Sequence, residues 1–194
     1  MLNVPDETSA DESRSDAALL GLAQRGEVAA FEALYFRHRD FVYRLAARFT
    51  GNHAATLDVS QETFAYLIKR LPTLELTGKL STWLYPIVKN IAHTQHRKRQ
   101  REVPGLNAVV DDPSLVRHAG SDSLPDQHQH LREAVANLPE AQREVVLMRI
   151  VDEMSVDEVA TALNIPIGTV KSRLFHGLGT LRQNAAIKDL WEGL

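Results

Sequence analysis

An all-α protein is predicted: two small helical domains joined by a flexible linker, the C-terminal one containing a helix-turn-helix. Three observations carry the prediction. Apolar residues recur at spacings of three and four through most of the chain, and no segment reads as a strand. That pattern collapses once, between Val103 and Gln129, where Pro, Gly, Ser and Asp accumulate instead. A chain of 194 residues is also long enough for two small cores. The boundaries that follow are an acidic disordered arm over 1–15, a first domain over 16–102, an acidic flexible linker over 103–129, a second domain over 130–186 and a tail over 187–194.

From Asp16, Leu19, Leu20, Leu22 and Ala23 predict a short helix stopped at Gly26. Phe31, Leu34, Tyr35, Val42, Leu45, Ala46 and Phe49 line one face of a second helix, which Gly51-Asn52 ends. The third covers about Leu57 to Leu71, with Val59, Phe64, Leu67 and Ile68 on one side, and Pro72 closes it. After the loop Thr73–Leu80, Ser81 or Thr82 can cap a fourth helix that runs through Trp83, Leu84, Ile87, Val88 and Ile91 into a basic stretch. Pro86 is expected in its first turn, where a missing amide is tolerated.

Beyond the linker, His130–Asn137 and Pro139–Val151 read as helices. Ser155-Val156-Asp157-Glu158 is a capping-box pattern opening a short helix with Val159, Ala160 and Leu163. Asn164-Ile165-Pro166 forms a turn. Gly168/Thr169 then lead into a last helix, with Val170, Leu174, Leu178 and Leu181 inward. A short helix, a tight turn and a longer helix with a polar, basic exposed face make a helix-turn-helix.

Composition excludes several classes. There is no cysteine, so disulfides, thiolate zinc sites, iron–sulfur clusters and cysteine nucleophiles are ruled out. No run of 18 apolar residues exists, so no membrane insertion is expected. The N-terminus lacks a signal-peptide core, and a cytoplasmic location is the expectation. The net charge of −3 argues mildly against a nucleic-acid binder, but the charge is unevenly placed. Residues 1–30 carry six acids against Arg14 and Arg25, and 103–130 carry four Asp against Arg117. Two basic islands hold no acid: Lys89, Arg97, Lys98, Arg99 and Arg101, then Lys171, Arg173, Arg182 and Lys188. Each closes a helical domain, which favours phosphate contact over a merely solvated face.

A helix-turn-helix sets its second helix in the major groove, where Thr169, Lys171, Ser172, Arg173, Phe175 and His176 are the candidates for DNA contact. Lys171 or Arg173 can donate to guanine, although Arg173 also suits a structural ion pair. In the upstream island, Trp83 and Tyr85 precede Lys89, Asn90, His93, His96, Arg97 and Lys98. Aromatics beside bases suit stacking on unpaired nucleotides, and Trp83 fits either that role or the core. His93/His96 and His128/His130 lack nearby acids at ligand spacing, so they read as solvated or phosphate-facing rather than metal-binding. No catalytic motif, metal site or cofactor site is expected.

Four ordered strings together resemble the extracytoplasmic-function (ECF) sigma factors of the bacterial sigma-70 family: DVSQETF (Asp58–Phe64), STWLYPIVKNIA (Ser81–Ala92), LPEAQREVVLMR (Leu138–Arg149) and IPIGTVKSRL (Ile165–Leu174). The resemblance spans Ala30–Arg101 and Leu131–Gln183. It implies a non-enzymatic initiation subunit that binds core RNA polymerase, reads the −35 and −10 promoter elements and helps open the DNA. Asp58, Gln61 and Glu62 would contact the β′ clamp helices, and the second domain would meet the β flap. Lys79, Trp83, Lys89, Asn90, His93, Arg97 and Lys98 would face the −10 element, including a flipped base. The last helix would read the −35 duplex, and the resemblance also implies an anti-sigma factor as partner. Ala55, Thr56 and Leu57 stand where the family is acid-rich, Thr94 where an Asp is common, and His176, Gly177 and Gly179 in a helix that is typically basic and Ala-rich. The alternatives are a stand-alone helix-turn-helix regulator, which leaves Asp58–Phe64 without a role, and a nucleic-acid enzyme, which lacks a carboxylate cluster.

Overall fold

Ser15 starts the first helix: its hydroxyl accepts the Ala18 amide at 3.3 Å, one of the donors that a helix start leaves unpaired. The structure, a computed structural model, describes residues 14–102 and 126–184. Most of the expected arm and linker, and the tail over 187–194, lie outside the described residues. Helix α1 (Asp16–Gln24) buries Leu19, Leu20 and Ala23. Helix α2 (Val28–Thr50) ends at Gly51, whose φ of 73° is the left-handed conformation glycine supplies at a helix end.

Asn52 immediately begins the next helix, its side chain accepting the Ala55 amide at 2.8 Å. Helix α3 (His53–Arg70) therefore starts about a turn before the expected Leu57, because Asn52 is a start signal as well as part of a stop. A 3₁₀ turn over Leu71–Thr73 contains Pro72. The Gln24 side chain donates to the carbonyls of Leu71 and Leu74 at 2.9 and 2.8 Å, tying this turn to α1.

Helix α4 spans Leu80–Glu102, which corrects two expectations. Ser81 and Thr82 lie inside it and cap nothing, and the Thr82 hydroxyl is buried without a partner. The Leu80 amide instead donates to Asp16 Oδ2, 64 residues away, at 3.2 Å. Pro86 sits in the helix interior rather than the first turn, so the Thr82 carbonyl loses its helical partner there. Asp16 also takes His38 Nε2 at 3.0 Å and Arg37 Nη1 at 2.9 Å. Burial pushes its carboxyl pKa up, but His38, Arg37 and the Leu80 amide outweigh that and hold it well below the usual range.

In the second half, α5 covers Asp126–Ala136 and α6 Glu140–Ile150. Helix α5 thus begins inside the stretch expected to be linker. Helix α7 (Val156–Leu163) opens with the predicted capping box: Ser155 Oγ accepts the Glu158 amide at 3.1 Å, and Glu158 accepts the Ser155 amide at 2.7 Å. Asn164, left-handed at φ 52°, turns the chain into α8 (Ile167–Gln183). Gly177 is buried against α6, where a Cβ would stand 2.8 Å from Val146 Cγ2. That glycine, unexpected in this helix, lets α8 approach α6 closely.

Both halves contribute to one buried cluster. Leu34, Leu45, Val59, Leu80, Leu84, Tyr85 and Val88 come from the first half, and Val145, Met148, Met154, Val159 and Val170 from the second. Helix α4 packs on α7. Leu138, Val146 and Leu181 form a smaller satellite under α5. No helix among the described residues is long and apolar enough to cross a membrane.

Candidate nucleic-acid and polymerase interface

Asp58, Gln61 and Glu62 lie on the exposed side of α3 at spacings of three and four, so one helical face presents all of them. The basic end of α4 runs beside this face. Arg99 Nη2 meets Asp58 Oδ2 at 3.2 Å, and Gln95 donates to Glu62 at 2.7 Å. The Arg99–Asp58 pair is solvent-exposed, so it adds little to stability. Ala55 and Thr56, where acids were expected from the resemblance, are buried, and the Thr56 hydroxyl bonds that of Thr50 at 2.8 Å. A carboxylate at either position would be taken out of water.

The seven expected −10 residues separate into distinct groups. Trp83, Asn90 and Arg97 recur every seven residues, which places them in one stripe along α4. The half-buried Trp83 ring stacks on Tyr66 of α3, with centroids 6.1 Å apart and planes 24° off parallel. This pair, with Lys79, Asn90 and Arg70, borders a cavity of about 600 Å³ whose opposite wall is Asp157, Glu158 and Thr161 of α7. Lys98 turns instead toward the Asp58–Glu62 face. Lys89 and His93 point at α6. Lys89 Nζ is 2.6 Å from Glu144 Oε1 and lies over the Phe49 ring at 6.0 Å. The His93 pKa is lowered, by burial first and then by Lys89 and Arg97.

Tyr85 departs from its expected role as a stacking aromatic. It is fully buried, edge-on to Phe49, and its hydroxyl donates to Glu144 at 3.0 Å. Burial first, then the Glu144 charge, pushes its pKa up, so it stays a neutral donor. Arg48 and Asp152 were not anticipated at all. They form a bidentate pair, 2.9 and 3.0 Å, with side chains 13% and 1% exposed. Burial works against the Arg48 charge, but Asp152 outweighs it and raises the pKa. Glu153 beside it is left-handed at φ 55°, a turn that few non-glycine residues make.

On α8, Lys171, Ser172, Phe175 and His176 are exposed, while Thr169 and Arg173 are half-buried. Phe175 is 75% exposed and meets the His176 ring edge-on at 5.5 Å. Arg173 makes no ion pair among the described residues, so the structural pairing considered for it is not seen.

An acidic helix face, an aromatic-basic helix and a helix-turn-helix, with no strand among the described residues, define a transcription-initiation subunit. Sequence comparison agrees: family models described as "Sigma-70 region 2" and "Sigma-70, region 4" match residues 34–102 and 128–181. The chain belongs to the sigma-70 family, in its ECF group. It is 28% identical over 180 residues to the ECF RNA polymerase sigma factor SigW of Bacillus subtilis, covering 86% of this chain and 94% of that one. It is likewise 28% identical over 170 residues to the RNA polymerase sigma-H factor of Pseudomonas aeruginosa, covering 82% and 88%. The fold is shared with CnrH, solved in complex with the cytosolic domain of CnrY (TM-score 0.63, 22% identity, covering 87% of this chain and 95% of that one). It is also shared with the sigma factor RpoE of Bartonella quintana, solved with the anti-sigma factor NepR (TM-score 0.61, 23% identity, covering 80% and 96%).

Proposed function

We propose that this ECF sigma factor uses Asp58, Gln61 and Glu62 to hold core polymerase, the Lys79–Trp83–Asn90 rim to take unpaired −10 DNA, and α8 to read the −35 duplex. The observation that carries the reading is the stacked Trp83–Tyr66 pair at a cavity edged by Lys79 and Asn90. An aromatic platform with a cation and an amide at its rim suits a flipped base and its phosphate. The exposed Lys171 and Ser172, with the half-buried Arg173 beside them, suit phosphate and base-edge contact, with Thr169, Phe175 and His176 alongside. Arg97 and Lys98 extend the positive surface along α4, while Lys89 and His93 join it only when α6 moves away.

In this reading the chain works in the cytoplasm, catalyses nothing itself and has two DNA-facing units, 16–102 and 130–186. An anti-sigma protein as a partner is supported by RpoE, which was solved with NepR. The test is a pull-down of core polymerase by the full chain. The wild type retains core, and Asp58→Lys/Glu62→Lys loses it, because reversed charges face a basic surface. Tight duplex binding by the free chain, with no retention of core, points instead to a stand-alone regulator.

A further inference from the structure

We infer that helix α1 braces the −10-reading loop: Gln24 and Asp16 hold the two ends of the segment that rims the Trp83 cavity, and so act as positioning residues for the base taken there. The inference rests on the reading of Lys79, Trp83 and Asn90 as −10 contacts.

The loop is anchored at both ends and open between them. Leu74 and Leu80 are buried, while Glu75, Thr77, Gly78 and Lys79 are exposed and border the cavity. A short exposed stretch has little local stability of its own, so its shape depends on what fixes its ends. Its backbone contributes one bond at each end. The Leu74 amide donates to the Leu71 carbonyl at 3.3 Å, and the Thr82 amide to the Lys79 carbonyl at 3.1 Å. Helix α1 adds three more. At the entry, Gln24 Nε2 donates to the carbonyls of Leu71 and Leu74 at 2.9 and 2.8 Å. At the exit, Asp16 Oδ2 accepts the Leu80 amide at 3.2 Å.

Asp16 and Gln24 are the first and last residues of α1, so the helix is a stiff spacer of about 12 Å between the two anchors. The spacer is itself held. Its Leu19, Leu20 and Ala23 are buried, and it packs on α2 and on the Leu71–Thr73 turn. Arg37 and His38 of α2 grip Asp16 at 2.9 and 3.0 Å, which fixes the carboxylate that receives the Leu80 amide. Neither Asp16 nor Gln24 borders the cavity, so both act through the loop. A rim already held in one shape loses less freedom when it takes a base, and affinity rises without a further contact.

The test uses the full chain bound to core polymerase. Gln24 is exposed, so substitutions there leave the core intact. Gln24→Glu keeps the size of the side chain and removes both donors, whereas Gln24→Lys keeps a donor for the same carbonyls. Having no native cysteine, the chain accepts a single spin label at the exposed Thr77→Cys to report loop mobility. Binding is read without the label, on a sequence-randomised single-stranded DNA of about 12 nucleotides. Gln24→Glu is expected to loosen the label and weaken DNA binding about fivefold, with core retention unchanged. Gln24→Lys is expected to restore both. Equal label mobility in wild type and Gln24→Glu overturns the brace, and so does a loss that Gln24→Lys does not rescue. A loosened label with unchanged DNA binding, while Lys79→Ala and Trp83→Ala still weaken it, leaves α1 a purely structural role and overturns the positioning. If Lys79→Ala and Trp83→Ala also bind as wild type, the assignment of the −10 face fails and the inference falls with it.

Discussion

Arg48 and Asp152, 104 residues apart, form a two-pronged ion pair that joins the end of α2 to the turn after α6. Its near-dry surroundings make it unlike the exposed pairs, because a charge left alone there has no water to replace its partner. Asp152→Ala is expected to cost about 3 kcal/mol in chemical denaturation. Arg48→Met/Asp152→Leu should recover most of that, since neither charge is then stranded. Lys79→Ala should cost under about 1 kcal/mol, its pair being largely solvated. Equal losses for Asp152→Ala and Lys79→Ala would contradict the assignment.

Helix identity was legible because apolar spacing and cap residues are local signals. Ser155 with Glu158 predicted the start of α7, and Gly51 predicted the end of α2. Caps supplied from afar were not legible: the start of α4 is satisfied by Asp16, and no local motif could reveal that. Site residues divide the same way. Residue type and helical phase placed the exposed positions of α8, while Trp83, which fitted either core or surface, is half-buried. The pairing of Lys89 with Glu144, the burial of Tyr85 and the Arg48–Asp152 contact depend on how distant helices meet.

Two glycines in α8 look alike in sequence and should behave oppositely. Gly179 has open space around it, so Gly179→Ala is expected to stabilise by up to about 1 kcal/mol through helix propensity. At Gly177 the new methyl meets Val146 and Gln142, and Gly177→Ala should destabilise by about 1–3 kcal/mol despite the same propensity gain. Thermal unfolding of both variants checks this, and stabilisation by both would refute the close approach of α8 to α6.

Asp16 makes the first half sensitive to acid. Its folded pKa lies below the ordinary value of 3.8, so its contribution is complete above that value and is lost as pH falls toward the folded pKa. Asp16→Asn should cost about 2 kcal/mol at pH 7, from weaker bonds to His38, Arg37 and the Leu80 amide. The gap between variant and wild type should narrow as pH drops below 4 in denaturation curves. A gap independent of pH would show that the Asp16 charge is not what matters.

Trp83→Ala should impair melting more than docking. Loss of one stacked base is worth about 1–3 kcal/mol, or roughly tenfold or more in open-complex formation on duplex promoters. On a template already unpaired across the −10 region the energy of unstacking is supplied in advance, and the defect should shrink. Permanganate footprinting on both templates measures it. An equal defect on both would place Trp83 in the core rather than at the DNA.

The central claim, that this chain gives RNA polymerase promoter choice through two separated DNA-reading elements, is tested most directly by transcribing genomic fragments with core polymerase and mapping RNA 5′ ends. With the wild-type chain, a discrete set of new starts should appear, each preceded by two shared sequence blocks, and Arg173→Ala should relax the choice of the upstream one. Starts identical to those of core polymerase alone would contradict it.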